Sequence, residues 1–328
     1  RRHRQVVGVM DQAPILTITL NPALDISTSA ARVVPDVKLR CEAPSFDPGG
    51  GGINVSRAIR NMGGHSTALV ALGGTTGQRM AAMLEATGIP VLSLPAPGET
   101  RQSLTADDRA TRQQYRFVMP GPEWSADDVA RALELATEMA PGDGLVVLSG
   151  SNPPGVPASF GAMLAGRLQG QGTRLIVDTS GEALATVAAA RDRRVEILRM
   201  DDEEAEGLAG QPLPYRADTA AFAASLVASG AARGVIVARG RDGNIIATDE
   251  GIWHAEAARV PIVSKVGAGD SFLAGFTLGY ARGWPVAHAL GLAAAAASAT
   301  VQTPATELCR GEDVERLFAA RVVTEMRL

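Results

Sequence analysis

Short apolar runs rich in β-branched residues recur along this chain at Ile15 to Leu20, Ser66 to Leu72, Leu145 to Leu148, Leu175 to Val177, Val195 to Leu198 and Val235 to Ala238. They are too short for helices and do not alternate as half-exposed strands do, so they read as strands buried on both faces. Helix-period patterns stand between them at Ile53 to Asn61, Met80 to Ala86, Ala126 to Met139, Ser159 to Leu168 and Thr219 to Ser229. Strands alternating with helices of this length predict βαβ units and a largely parallel sheet flanked by helices. Gly, Ser, Asn or Asp follows several strand ends directly, and open α/β sheets bind ligands at that edge.

Two stretches break the pattern. Residues 25–47 and 100–119 are of mixed or alternating polarity, and the run Gln114 to Met119 sets Arg116 on the face opposite Tyr115 and Phe117. Both are expected to be insertions that form a small β-sheet lid on a single α/β domain covering 14–328. One apolar face of such a lid needs cover, from a ligand or from another subunit.

Composition narrows the classes. With 46% hydrophobic and 20% charged residues and a net charge of −4, the chain has the profile of a globular protein with no electrostatic reason to bind nucleic acid or an anionic membrane. Trp124, Trp253 and Trp284 are too scattered to form a stacking platform. No apolar run approaches the 18 or so residues that span a bilayer. Cys41 and Cys309 form no C-x-x-C pair, which leaves a disulfide framework or zinc site unsupported and fits a reducing cytoplasm. His3, His65, His254 and His288 stand in no ligand spacing and are expected at the surface or in packing. The basic start Arg1-Arg2-His3-Arg4 leads into no signal-like apolar stretch, so residues 1–13 are expected to be a disordered extension.

Chemistry concentrates in two glycine-rich strings. Val266-Gly267-Ala268-Gly269-Asp270-Ser271 opens a helical run of small residues. Unpaired N–H groups at a helix start, aided by the helix dipole, favour an anion such as a transferring phosphoryl group. Asp270 beside that anion would repel a resting phosphate, yet it is well placed to take the proton of an attacking hydroxyl. The competing reading is a plain Gly-rich turn. Pro48-Gly49-Gly50-Gly51-Gly52-Ile53-Asn54 runs straight into an amphipathic helix, unlike a linker, and Asn54 offers donor and acceptor to a sugar hydroxyl. Asp25, after the first strand, could accept from the same hydroxyls. Lys38, Arg40, Arg101 and Arg116 lie in the two lid insertions, where together they suit a substrate phosphate.

These strings carry a resemblance. With Thr17 to Asp25, Lys38-Leu39-Arg40-Cys41, Thr100-Arg101-Gln102, Gln114 to Gly121, Ser149-Gly150-Ser151 and Val177-Asp178, they make the chain resemble the phosphofructokinase B family of the ribokinase superfamily from about Ile15 to Arg316. Lys38 to Cys41 and Gln114 to Gly121 look most like its ATP-dependent 6-phosphofructokinase branch. The resemblance implies a ribokinase-like fold and transfer of the ATP γ-phosphoryl to C1 of fructose 6-phosphate with Mg²⁺. It implies Asp270 as general base and Gly267, Ala268 and Gly269 as the anion hole. It assigns Asp25, Gly50, Gly51, Asn54 and Ser151 to the sugar, and Lys38, Arg101 and Arg116 to its phosphate. The segment Ala238 to Gly243, including Gly240, and the helices around Gly267 and Ala294 to Ser298 would hold ATP. The lid would double as a homodimer interface. Fructose-1-phosphate kinase, tagatose-6-phosphate kinase and a non-catalytic sugar-phosphate sensor remain alternatives.

Three departures from the family pattern stand out. Arg199-Met200-Asp201-Asp202-Glu203-Glu204 replaces Lys-Pro-Asn-x-x-Glu; Asp201 and Glu204 together would organise Mg²⁺ through water, while Asp202 and Glu203 fit the acidic first turn of a helix. Lys265 replaces a common Thr and either reaches the nucleotide phosphates or points to solvent. Thr303-Pro304-Ala305 replaces a Gly-containing segment and is expected to alter the adenine pocket.

Overall fold

The computed structural model describes residues 12–304 and 306–327. The extension expected at 1–13 therefore lies mostly outside the described residues, while Gln12 and Ala13 are tied down by hydrogen bonds to His65 and to the Ala281 carbonyl.

From β1 (Ile15–Thr19) the chain enters the lid as β2 (Ala23–Ala30) and β3 (Ser45–Gly49), then returns through α1 (Gly51–Asn61) to β4 (Thr67–Leu72), α2 (Gly74–Ala86) and β5 (Val91–Pro95). A second lid excursion, β6 (Arg101–Asp108) and β7 (Gln113–Val118), leads to α3 (Ala126–Glu138), β8 (Leu145–Ser149), α4 (Phe160–Leu168), β9 (Arg174–Asp178) and α5 (Gly181–Ala189). There follow β10 (Val195–Asp201), α6 (Asp202–Ala209), α7 (Arg216–Ala228), β11 (Ala232–Ala238), β12 (Asn244–Thr248) and β13 (Gly251–Ala255). The chain ends with α8 (Ala268–Ala281), α9 (Val286–Thr300), α10 (Gly311–Ala319) and β14 (Val323–Met326).

The main sheet has the order β14-β13-β12-β11-β10-β9-β8-β1-β4-β5, parallel from β5 through β11 and antiparallel from β11 to β14. Its strands are apolar throughout because both faces are covered. In β8, Val146 and Leu148 pack towards α3 and α4, while Leu145 and Val147 pack towards α1 and α8. Helices α8 and α9 are apolar on nearly every side, as befits buried helices. They meet closely: a Cβ on Gly275 would lie 2.8 Å from the Leu292 carbonyl oxygen.

The lid is a separate four-stranded sheet, β3-β2-β6-β7, with β2 and β6 parallel and the outer pairs antiparallel. Its register sorts the side chains. Asp25, Asp47, Arg101, Ser103 and Arg116 fall on one face, and Ile26, Phe46, Leu104, Ala106, Tyr115 and Phe117 on the other. Asp25 is thus a strand residue of the lid, within the 25–47 stretch expected to form it. No helix among the described residues is long and apolar enough to cross a membrane.

Candidate active site

The site lies at the C-terminal edge of the parallel strands. Helix α1 starts almost on top of β1 and β8, and the glycines before it answer that crowding. A Cβ on Gly51 would sit 2.4 Å from Ser149 Oγ, and Gly50 has φ 138°, a conformation that disfavours other residues. Thr19 Oγ1 accepts from the Ile53 N–H at 3.0 Å and caps the helix. Asn54 on its first turn donates from Nδ2 to Asp270 Oδ2 at 2.8 Å, so the residue read as a sugar ligand also orients the candidate base.

Asp270 is the third residue of α8. Gly267 caps that helix in the left-handed conformation, φ 74°, with no side-chain cap, and the first helical bond is Ser271 N–H to the Gly267 carbonyl. The N–H groups of Gly269 and Asp270 therefore have no partner among the described residues, and Gly269 lines the cavity, where its N–H is available to an anion; the Ala268 N–H, expected in the anion hole, is instead spent on the Lys265 carbonyl at 3.3 Å. Burial pushes the Asp270 pKa up to about 7; the Asn54 hydrogen bond works against this, nearby Asp178 adds to it, and Arg199 opposes it. A carboxyl near neutrality is suited to taking a proton from an alcohol.

Arg199 lines the cavity beside Gly269, although the sequence alone assigns it no role. It sits on β10 directly opposite Asp178 of β9, pairs with it at 3.1 Å, and lies near enough to the Gly269 backbone that a Cβ there would be 3.3 Å from Nη2. Burial alone would lower its pKa, but Asp178, Glu204 and Asp270 together hold it above the ordinary value, so it stays a cation. Its Nε is buried with no partner among the described residues. The signal available beforehand was its position near the end of a strand running into the ligand edge.

On the lid side, Asp25 lies over Gly49, where a Cβ would be 2.0 Å from Oδ2. Burial pushes its pKa up to about 6, against Arg101 and Arg116. Arg101 donates to the Asn21 carbonyl at 3.0 and 3.2 Å and to the Met119 carbonyl at 3.2 Å, which fixes the lid to the strand end. Ser151 Oγ accepts from Asn21 Nδ2 at 3.1 Å. The fold thus brings Asp25, Gly50, Gly51, Asn54, Ser151, Arg101 and Arg116 around one mouth. Lys38 and Arg40 are not drawn in: both are exposed in the connection between β2 and β3.

A cavity of about 1140 Å³ extends from Gly269 away from the lid. Ala238, Gly240, Lys265, Ala268 and Ser298 line it, along with Arg199 and Asp201. Gly243 does not; it turns inward against the Ala255 carbonyl, with φ 96°. Thr303, expected at the adenine pocket, is instead buried and spends its hydroxyl on the Thr300 and Glu307 carbonyls, while Ala305 lies outside the described residues. Asp201 and Glu204 form a reciprocal capping box at the start of α6, each side chain accepting from the other's N–H at 2.9 Å. One oxygen of each carboxylate remains without a partner among the described residues, and Asp201 reaches the cavity wall. That donor set suits a hydrated Mg²⁺ arriving on a nucleotide and not an all-protein cage, for which no cluster exists among the described residues.

A fold that delivers free amide donors, a buried cation and a near-neutral carboxyl to one cleft under a β lid is that of a kinase acting on a hydroxyl acceptor. Residues 17–312 match the pfkB family carbohydrate kinases, and the chain belongs to that family. It is 39% identical over 304 residues to the ATP-dependent 6-phosphofructokinase isozyme 2 of Mycobacterium tuberculosis, covering 93% of this chain and 88% of the relative. It is 30% identical to the 1-phosphofructokinase of Bacillus subtilis, covering 95% of this chain and all of the relative. The crystal structure of phosphofructokinase-2 from Escherichia coli in complex with fructose-6-phosphate superposes with a TM-score of 0.86 at 36% identity, covering 94% of this chain and 99% of that one.

Proposed function

We propose that the protein is an ATP-dependent 6-phosphofructokinase that phosphorylates C1 of fructose 6-phosphate. The observation that carries the reading is Asp270, a partly buried carboxyl with a pKa near 7 set in the same helical turn as the unpaired N–H groups. In its ionised form Asp270 takes the proton of the C1 hydroxyl as that oxygen attacks the γ-phosphorus. The bond from phosphorus to the bridging oxygen breaks, ADP leaves, and the proton passes from Asp270 to water. Gly269 and Asp270 N–H groups and Arg199 face the charge on the transferring group, so positioning and electrostatics supply most of the acceleration. Asn54 holds the Asp270 carboxylate through Oδ2 and leaves Oδ1 for the hydroxyl. Mg²⁺, held through water by Asp201 and Glu204, would neutralise phosphate charge. Asp25, Gly50, Gly51 and Ser151 hold the sugar, and Arg101 and Arg116 its phosphate; Lys38 is assigned to the phosphate on the resemblance alone. Ala238, Gly240, Lys265 and Ser298 line the nucleotide cavity.

The same reading makes the protein a homodimer through the lid, because the apolar lid face that carries Tyr115 leaves Phe117 53% exposed, with Met119 just beyond the strand 42% exposed. It also makes it a cytoplasmic enzyme, in keeping with two free cysteines. The test is an ATP-consumption assay with fructose 6-phosphate, fructose 1-phosphate and tagatose 6-phosphate in parallel. Preference for fructose 6-phosphate supports the assignment. Preference for fructose 1-phosphate moves the protein to the activity named for the Bacillus subtilis relative, and no turnover with any of them leaves a sensor.

A further inference from the structure

The cavity wall that carries Gly240 is a 3-10 turn, Gly240–Asp242, at the tip between β11 and β12. Little holds it from within. The turn has three main-chain bonds, Arg239 N–H to Gly243 at 2.8 Å, Asp242 N–H to Arg239 at 3.0 Å and Gly243 N–H to Gly240 at 3.3 Å. Gly240 and Arg241 are exposed, so no core lies beneath the tip. A Cβ on Gly240 would meet nothing within 4 Å, which leaves its main chain bare to the cavity.

Side chains do the holding. The Arg239 guanidinium is 11% exposed and every nitrogen is engaged: Nε donates to Asp242 Oδ2 at 3.0 Å, Nη1 to the Leu213 carbonyl at 2.9 Å and to Thr219 Oγ1, and Nη2 to the Pro214 carbonyl at 3.0 Å. Leu213 and Pro214 belong to the connection between α6 and α7, and the Leu213 N–H is itself bound to Glu206 on α6 at 2.8 Å. From behind, buried His254 donates from Nε2 to the Asp242 carbonyl at 2.6 Å. Arg216 at the start of α7 closes the group on Asp242 Oδ1 at 2.6 and 2.9 Å.

We propose that Arg239 is a positioning residue of the nucleotide site: by clamping the Gly240–Asp242 turn to the α6–α7 connection, it holds the bare main chain of Gly240 where the nucleotide seats. A mostly buried arginine that spends four of its five donors on the turn, the α6–α7 connection and the first turn of α7 contributes little to a core, but it fixes their separation. Its loss would let the turn swing out, weakening nucleotide binding while leaving the lid side and Asp270 in place. This rests on the reading of the large cavity as the nucleotide site.

The test uses Arg239→Met, which keeps the stem and removes the donors, Arg239→Lys, which keeps the charge, and Arg194→Ala as a control that cuts only the surface pair to Asp249 at the far end of the same hairpin. The Met variant is expected to raise KM for ATP about tenfold, with KM for fructose 6-phosphate within about twofold of wild type, and Lys to recover part of the loss. The rise in Tm that ATP gives should shrink in the Met variant, and the rise that fructose 6-phosphate gives should persist. If the Met variant does not fold, the Lys variant is held to the same selective rise. An unchanged KM for ATP, or parallel losses for both substrates, overturns the proposal. A wild-type Tm that ATP does not move overturns the reading of the cavity itself, whereas an ATP shift kept in full by the variants overturns the clamp alone.

Discussion

Replacing Asp270 with Asn should make the protein more stable and nearly inactive, because the ionised carboxylate needed for catalysis is one that the fold disfavours. Burial lifts its pKa from an ordinary 3.8 to about 7, against the pull of Asn54 and Arg199. Between those values the native state keeps a proton that the unfolded chain has released. Stability therefore falls as pH rises through this window and levels off above about 7. At 1.36 kcal/mol per unit, the span from pH 5 to about pH 7 is worth about 3 kcal/mol, trimmed to about 2 kcal/mol by the contact the carboxylate keeps with the cleft. Asn cannot ionise, yet its amide oxygen can still accept from Asn54. Relative to wild type, the variant should gain about 2 kcal/mol between pH 5 and pH 8, roughly 3 °C in Tm for a chain of this size. Its kcat should fall by about 10²–10⁴. Wild-type kcat/KM should climb with pH through an apparent pKa near 7, since the free base must be unprotonated. Scanning calorimetry at the two pH values and a coupled ADP assay across the range check all three. A variant that keeps more than about a tenth of kcat refutes the base, and a Tm difference that is equal at both pH values refutes the buried ionisation.

Arg116→Ala should raise KM for fructose 6-phosphate about tenfold or more and leave KM for ATP alone, since Arg116 shares the lid face of Asp25 and spends no donor among the described residues; steady-state kinetics with each substrate varied will show it, and a selective effect on ATP would place the lid over the wrong substrate. Phe117→Glu should dissociate the dimer and lower activity together, by sedimentation and assay at one concentration; a fully active wild-type monomer removes the lid interface. Asp201→Asn keeps the cap on the Glu204 N–H but removes a charge from the cavity wall, so the Mg²⁺ concentration for half-maximal activity should rise with KM for the sugar phosphate unchanged. Superimposable Mg²⁺ curves would leave Asp201 as a helix cap only.

The middle of the main sheet is legible in the sequence because a strand covered on both faces must be apolar without alternation, and β1, β4, β8, β9, β10 and β11 all announce themselves that way. The antiparallel end does not. Asn244-Ile245-Ile246-Ala247-Thr248 is as buried as its neighbours, but its place in the sheet depends on the glycine turn before it and on pairing that continues through β13 to β14 at the far end of the chain. The lid is legible as alternating polarity at Tyr115, Arg116 and Phe117. Where Asp25 falls is not, because its face is set by a parallel partner, Ser103, far along the chain.

The same distinction governs the site. Gly267 to Asp270 are read easily because the proposed anion donors and the proposed base lie in one turn of one helix. Arg199 and Asp178 escape because their meeting is a property of register: they are opposed across β10 and β9, and the pair exists only once those strands are neighbours. Asp201 to Glu204 shows the converse. Its Asp-x-x-Glu spacing is a capping box that sequence alone can recognise, and the structure forms it. In the proposed Mg²⁺ site capping and cation binding do not compete, since the box uses one oxygen of each carboxylate and leaves the other without a partner among the described residues. Helix α6 thus starts at the ligand edge, and the bonds that begin the helix also orient its first carboxylates. Sequence spacing reveals the cap, and only the strand order reveals that the cap faces the same cleft as Arg199 and Asp270.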